Sequence, residues 1–362
     1  MIKNINYIDK DIFDLEMEAI HNSSWVFICL KEQISENNDF VTYEIGTKTL
    51  VAQNFEGTVK CFENICQHRF NKIQSGDTGN TSFFCKYHAW IYDSEGRAIV
   101  NDKFKDQLNA EKRDCLKEYQ VEHCGDFVFV KVNHESQDNL KEHLGAFYDL
   151  LLDLSSNFDS LLNKEYMSIP HNANWKLLVE NVLECYHCST VHKETLVPIG
   201  IGSKKPENNV VDKNHDMIDY PIRIGKQQKL RNEKLSFLDK RNFKHNSLRH
   251  LYVFPNLFIT STDGILFYVG KLTPQSSSNT NLLVNFVRPK LNDLSKKESI
   301  LSNAFFGASL ESAAKVVYED KVILENIQNN LSKVKDLAQI FGEEEFRIEN
   351  FHNNIKKEVK YI

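Results

Sequence analysis

The period of the apolar positions changes once along the chain, near residue 136. Residues 23–132 carry short runs rich in β-branched and aromatic residues: SSWVFICL, FVTYEIG, KTLVAQNFEGTVKCFEN, FFC and DFVFVKV. Gly, Asn and Asp separate them as turn signals, so this stretch reads as a small all-β domain. From DNLKEHLGAFYDLLLDL onward the apolar residues recur at helical spacing. A helix is predicted from near Asn172, then a polar, Lys- and Asn-rich span over 201–249, then three strand-like runs, RHLYVFPNLFIT, GILFYVGKL and NLLVNFV. Helical pattern returns from about Leu310 to the end. The pattern predicts an α+β chain with an N-terminal segment 1–22, a β domain 23–135 and a second domain 136–362 of antiparallel sheet with helices segregated around it. The basic residues within 223–249 read as a solvated loop, with a lid over a site as the alternative.

With 362 residues, 41% hydrophobic and 26% charged, the chain has the composition of a soluble globular protein. The opening MIKNINYIDKDIFDLE lacks the apolar run of a signal peptide or a membrane span, so a cytoplasmic protein is expected. A net charge of −6 argues against a nucleic-acid binder and for a small-molecule substrate. Eight cysteines in a chain of this length are not a disulfide scaffold, and are expected as thiols or metal ligands.

Two short segments of the β half each pair one thiol with one imidazole: CQH with Cys66 and His68, and CKYH with Cys85 and His88. Two thiolates and two imidazoles suit a tetrahedral zinc, or a two-iron cluster in which cysteines hold one iron and histidines the other. Zinc fingers pair like with like, whereas each segment here carries both ligand types. That order suits the cluster, which would act as an electron relay.

A relay needs an acceptor, and NWKLLVENVLECYHCSTVH offers one. On a helical wheel Trp175, Leu178, Val179, Val182 and Tyr186 share one face, and Glu180, Glu184 and His187 the opposite one. His192 follows His187 by five residues, a rotation of about 140° that would aim the two rings apart. The helix is therefore expected to break near Cys188–Val191, where Ser189, Thr190 and Val191 are poor helix formers. Two histidines with one distant carboxylate make the facial triad of non-haem Fe(II) oxygenases, and YEDKVILENIQ supplies carboxylates. Cys185 and Cys188 have no second C-x-x-C to complete a zinc site; they read as small packing residues, with a redox pair as the alternative.

The first half resembles a Rieske [2Fe–2S] domain, and CKYHAWIYDSEGRAI is similar throughout to that family's second loop. The whole succession of C-x-H, C-x-x-H, N-W-K, E-N, E-x-x-H-x-x-x-x-H and a C-terminal acid resembles the large (α) subunit of Rieske non-haem iron oxygenases. The resemblance implies a helix-grip catalytic domain, a [2Fe–2S] cluster on Cys66, His68, Cys85 and His88, and mononuclear Fe(II) on His187, His192 and Asp320, with Glu319 the neighbouring acid. It also implies a homotrimer in which Glu184 bridges an iron histidine to a cluster histidine of the next subunit. Electrons would come from a separate NAD(P)H-dependent reductase, since no dinucleotide fingerprint is present. Aromatic-ring dioxygenases usually have Asp at the position of Glu184; ECYHC looks like the carnitine and glycine betaine monooxygenases. The expected activity is O₂-dependent hydroxylation of a quaternary or N-methylated amine, with aromatic-ring dihydroxylation and a pure Rieske electron carrier as the alternatives. Phe70 and Ala89 stand where the family usually has glycine. For a cationic substrate, the aromatics of the strand runs, Tyr252, Phe254, Phe258, Phe267 and Tyr268, are candidate wall residues, about half of them core by strand alternation.

Overall fold

The computed structural model describes residues 2–21, 23–133, 138–163, 166–201, 205–222 and 235–359. Contacts divide the chain into two compact units: His21–His143, and Met1–Ile20 together with Leu144–Ile362. Among the described residues no helix is long and apolar enough to cross a membrane.

In the unit His21–His143 every predicted run forms a strand. The seven-stranded antiparallel sheet runs Trp25–Leu30, Phe127–Lys131, Glu118–Cys124, Thr58–Glu63, Lys48–Phe55, Asp39–Ile45 and Thr78–Asn80. KTLVAQNFEGTVKCFEN is a hairpin whose turn residues Glu56 and Gly57 both take positive φ, 51° and 94°. A small sheet of Phe84–Cys85, Trp90–Tyr92 and Ala98–Ile99 completes the unit. Its core sets Phe62, Phe83, Trp90 and Tyr92 around Cys66 and Cys85.

The other unit is a mixed layer of antiparallel sheet and helices, the architecture expected of an α+β chain. Its sheet runs Phe158–Leu161, Asn279–Pro289, Phe267–Ser276, Leu257–Thr262, Ser247–Val253, His215–Pro221 and Glu207–Asp212, with Met167–His171 also paired to Asn279–Pro289. Three helices bury apolar stripes against it: Trp175–Leu183, Lys296–Leu331 and Phe346–Glu358 contribute Leu178 and Val179, Val317 and Leu324, and Phe351 and Ile355 to one core with Tyr252 and Phe258. The Asn-Trp-Lys motif seats the first helix. Asn174 caps it onto the Lys176 N–H (3.0 Å), and its amide also donates to the Ser277 carbonyl (2.9 Å). Trp175 Nε1 and Lys176 Nζ both donate to the buried Glu16 carboxylate, at 3.0 and 2.7 Å.

Several boundaries differ from the sequence reading. The helix expected near Asn172 begins at Trp175, after the Asn174 cap. The last long helix begins at Lys296 rather than Leu310, because Ser295 and Glu298 form a capping box whose S-x-x-E signature the sequence reading passed over. Within 201–249 the polar composition concealed two strands, Glu207–Asp212 and His215–Pro221, which tertiary pairing with Ser247–Val253 stabilises despite weak local propensity. DNLKEHLGAFYDLLLDL is two helices, Leu140–Leu144 and Phe147–Ser156, interrupted at Gly145 with φ 54°. Of the basic loop or lid at 223–249, residues 223–234 lie outside the described residues.

Gly264 turns the hairpin between Leu257–Thr262 and Phe267–Ser276 at φ 68°, and a Cβ there would sit 2.0 Å from the Phe243 carbonyl oxygen. Backbone cannot yield as a side chain tip can. Gly264→Ala should therefore cost about 2–4 kcal/mol. Thermal denaturation checks this, since a melting temperature within a degree of the parent would contradict the contact.

Two candidate metal centres

The four candidate ligands of the β unit sit on two turns of similar construction. The Phe70 N–H closes onto the Cys66 carbonyl (3.0 Å) and the Ala89 N–H onto the Cys85 carbonyl (2.9 Å). Both closing residues adopt left-handed backbone, φ 62° and 57°, the region where glycine carries no Cβ penalty. Glycine would carry no such penalty at these two positions, whereas Phe70 and Ala89 bear roughly 1–2 kcal/mol of strain each. Phe70 is exposed, with the Arg113 guanidinium 5.0 Å over its ring.

Cys66 and Cys85 are buried side by side, and the rings of His68 and His88 lie 4.5 Å apart. His68 stacks on Trp90 at 4.6 Å, and its buried Nδ1 has no hydrogen-bond partner among the described residues. The Tyr92 hydroxyl donates to Cys66 Sγ (3.2 Å) and Asn71 Nδ2 to Cys85 Sγ (3.5 Å). Burial pushes the Cys66 thiol up. At Cys85 burial acts the same way but is outweighed by donors from the Tyr87 backbone, Asn71 and the His88 backbone, so that thiol is lowered. Paired thiols, paired imidazoles and an orphaned ring nitrogen fit a group held by both ligand types.

The second centre depends on a helix that stops. Trp175–Leu183 ends at Glu184, which is extended at φ −136° and ψ 167°, and a new turn of helix, Cys188–Val191, starts after His187. The break falls at 184–187, ahead of the position the residue propensities indicated, because the Glu184 carboxylate accepts the Tyr186 and His187 N–H groups and so holds the non-helical segment that leads into the new turn. Glu180, expected on one face with Glu184 and His187, instead meets Tyr7 and His352. Cys185 and Cys188 are joined by a disulfide across the break rather than packing as separate thiols.

His187, His192 and Asp320 come together. Asp320 Oδ1 lies 3.1 Å from His192 Nε2 and 3.6 Å from His187 Nε2, yet this buried oxygen makes no well-formed hydrogen bond among the described residues. An acceptor flanked by two imidazole nitrogens and left unsatisfied fits a metal ion held by all three. Each ring is gripped from behind: His187 Nδ1 meets Glu184, and His192 Nδ1 meets Glu319 (2.8 Å), which also accepts from Thr195 Oγ1 (2.7 Å). Burial lowers His192, but Asp320 and Glu319 outweigh it and hold that imidazole above its ordinary value.

The sequence reading named Glu319 only as a neighbour of Asp320, and Thr195 not at all. Glu319 lies 127 residues from His192 along the chain, so nothing local in the sequence signals that two adjacent acids reach the two nitrogens of the same ring. The centre opens on a cavity of about 380 Å³. Of the aromatics proposed for its walls, Phe258 and Tyr268 line it, whereas Tyr252, Phe254 and Phe267 are core; Phe286 and Phe305 also line it.

Comparison with known proteins gives two family matches. The ring hydroxylating alpha subunit (catalytic domain) matches residues 158–360, and the Rieske [2Fe-2S] domain matches residues 24–119. The chain is 33% identical over 194 residues to the anthranilate 1,2-dioxygenase large subunit of Acinetobacter baylyi, an alignment covering 51% of this chain and 41% of that protein. It is 31% identical over 196 residues to the glycine betaine monooxygenase oxygenase subunit of Chromohalobacter salexigens, covering 52% and 42%. The alignments thus span less than half the length of these relatives. A quaternary ammonium Rieske monooxygenase solved with its substrate L-carnitine shares the fold, with a TM-score of 0.76 at 18% identity over 99% of this chain and 95% of that one.

Glu319→Ala removes the acceptor behind His192 while leaving the three facing groups in place. Metal affinity at this centre should fall by roughly 10–100-fold. Titration of the metal-stripped protein with Co(II), followed by its absorption spectrum, reads the change; unaltered affinity would show that Glu319 does not support the site.

Proposed function

We propose, from the premise that the chain belongs to the ring-hydroxylating α subunits with a Rieske [2Fe–2S] domain ahead of the catalytic domain, that it is the oxygenase component of an O₂-dependent hydroxylase. The observation that carries this reading is the unsatisfied Asp320 Oδ1 between the Nε2 atoms of His187 and His192. Cys66, His68, Cys85 and His88 would hold the cluster, and His187, His192 and Asp320 the mononuclear iron. Bound there, the cluster would supply single electrons and the Fe(II) would supply O₂ activation.

The residues of the chain do the rest. Glu184 and Glu319 keep the proton of each imidazole on Nδ1, so that both Nε2 lone pairs face Asp320. The cavity walls exclude water and hold the substrate against this face. We further propose a homotrimer, in which Glu184 links His187 to a cluster histidine of the neighbouring copy, and a separate NAD(P)H-dependent reductase as electron donor. The substrate class we favour is a quaternary or N-methylated amine. Its support is the ECYHC setting of Glu184, the glycine betaine and quaternary ammonium monooxygenases among the similar proteins, and the rings of Phe258, Tyr268, Phe286 and Phe305 along the cavity. One oxygen atom enters a methyl C–H bond; the other leaves as water with two electrons and two protons. The carbinol on nitrogen then releases formaldehyde.

Assay of the reconstituted protein with a reductase should give formaldehyde in step with consumption of an N-methyl substrate. Conversion of aromatic compounds to cis-diols with no N-methyl compound consumed would replace this reading with ring dihydroxylation. Cys85→Ala should lose the visible absorbance of the cluster and all turnover. Glu184→Gln should retain both metals, because its amide oxygen still accepts from His187, yet stall single-turnover oxidation of the cluster. If that variant instead lost the mononuclear metal, Glu184 would be a ligand and Asp320 demoted.

A further inference from the structure

The pair Cys185 and Cys188 brackets His187, and the proposed reaction uses neither sulfur. The two are joined by a disulfide, and both belong to the apolar cluster of Ile201, Ile218 and Ile222. Cys188 also lines the cavity that His187, His192 and Asp320 face. Its Sγ and a ring nitrogen from each of His187 and His192 all lie within 4.8 Å of one another. Four donor groups therefore surround the second centre: two imidazoles, the carboxylate with the unsatisfied Asp320 Oδ1, and one sulfur.

The bonding state of that sulfur decides whether it counts as a ligand. Metal ions take the thiolate, and while Cys188 is bonded to Cys185 it has no thiolate to offer. Opening the disulfide takes two electrons and two protons and returns two thiols; a small dithiol supplies them and is itself oxidised to a disulfide. The freed Cys188 thiol loses its proton as it binds the metal and becomes a fourth protein ligand. Donors around a tetrahedral zinc stand roughly 3.3–3.8 Å apart, given bonds of about 2.0–2.3 Å, so a sulfur already within 4.8 Å needs to travel only about 1 Å. Rotation about χ1 of Cys188 provides that once the bond to Cys185 is gone.

The number and softness of the donors then set what the centre does. Two histidines and one carboxylate leave an ion positions for O₂, whereas four protein ligands that include a thiolate make the closed set typical of structural zinc. We propose that Cys185 and Cys188 form a redox switch on the second centre. As a disulfide the pair keeps the sulfur off the metal, and as a dithiol it lends the Cys188 thiolate to the metal and closes the centre. The inference rests on the reading that His187, His192 and Asp320 hold a metal ion.

The test is X-ray absorption at the zinc edge, on the full chain with its cluster in place and Zn(II) loaded at the second centre. This signal is blind to the cluster iron. The disulfide form, verified by peptide mass, should show only nitrogen and oxygen neighbours. Reduction with a water-soluble phosphine should add one sulfur per zinc at about 2.3 Å. Cys185→Ser, which frees Cys188, should show that sulfur without reductant, and Cys188→Ser should never show it. The switch is overturned if the disulfide does not form, if sulfur meets zinc while the disulfide is intact, or if Cys188→Ser retains the sulfur. Two imidazoles at zinc with no sulfur on reduction would overturn the switch alone. A zinc shell without two imidazoles in every sample would overturn the metal centre itself, and the switch with it.

Discussion

The second centre exists because a helix ends at Leu183. Had Trp175–Leu183 continued, His187 and His192 would project about 140° apart and no single ion could meet both. The stop is held from two sides. Arg347 Nη1 donates to the Leu183 carbonyl (3.0 Å), while Arg347 Nε is paired with Asp216. Arg347 and Asp216 are both buried, and burial raises Asp216 against the opposing pull of the guanidinium. A guanidinium fixed in this way satisfies a carbonyl that the helix itself would otherwise leave open. On the far side of the stop, Glu184 accepts the His187 N–H and the Cys185–Cys188 disulfide spans the break itself.

From that break the electrostatics follow. Each imidazole has a glutamate behind it, so the carboxylates decide which nitrogen carries the proton and which is free to bind. Glu319 and Asp320 are consecutive on the helix Lys296–Leu331 and diverge by about 100°, which lets them take the two nitrogens of the same His192 ring, Nδ1 at 2.8 Å and Nε2 at 3.1 Å. The same acids that orient the ring also raise its proton affinity. A metal ion entering the site must displace that proton, so loading is coupled to pH in the direction of tighter binding as pH rises.

Much of this was legible in the chain. The strand runs of the first half and the two Cys-His pairs have local signatures and landed in the expected elements; the i, i+5 histidines were legible as a pair, but His187 lies beyond the end of the helix Trp175–Leu183 on which it was expected. What failed was non-local or compensated. The strands Glu207–Asp212 and His215–Pro221 are polar in sequence and exist through their pairing partners. The helix start at Lys296 was readable from Ser295 and Glu298 and was overlooked in favour of apolar spacing, which is weak in a helix with exposed Tyr318, Val322 and Ile323. Position of the break near His187 could not follow from helix propensity, because a side chain, Glu184, sets it. Phe70 and Ala89 show the reverse case: a departure from glycine that looked like a local oddity corresponds to two left-handed residues closing similar turns.

The scaffold under the second centre is assembled from distant parts of the chain. The helix Trp175–Leu183 is fixed at its start by Glu16, which takes the charges and dipoles of Lys176 and Trp175, and in its middle by Glu180, which accepts from Tyr7 (2.6 Å) and meets His352 Nε2 (2.8 Å). Burial and the Glu180 charge both hold the Tyr7 phenol protonated. Buried polar contacts of this kind add little net stability compared with apolar packing, since desolvation offsets most of the attraction. Their value is in register. A one-residue slip of the helix would leave Glu16, Lys176 and Glu180 buried without partners, a cost of several kcal/mol for each charge. Such a slip would also rotate the apolar stripe about 100° away from the core, so the packing of Leu178 and Val179 and the polar contacts at residues 7, 16 and 352 together fix the direction in which Glu184 and His187 leave the helix.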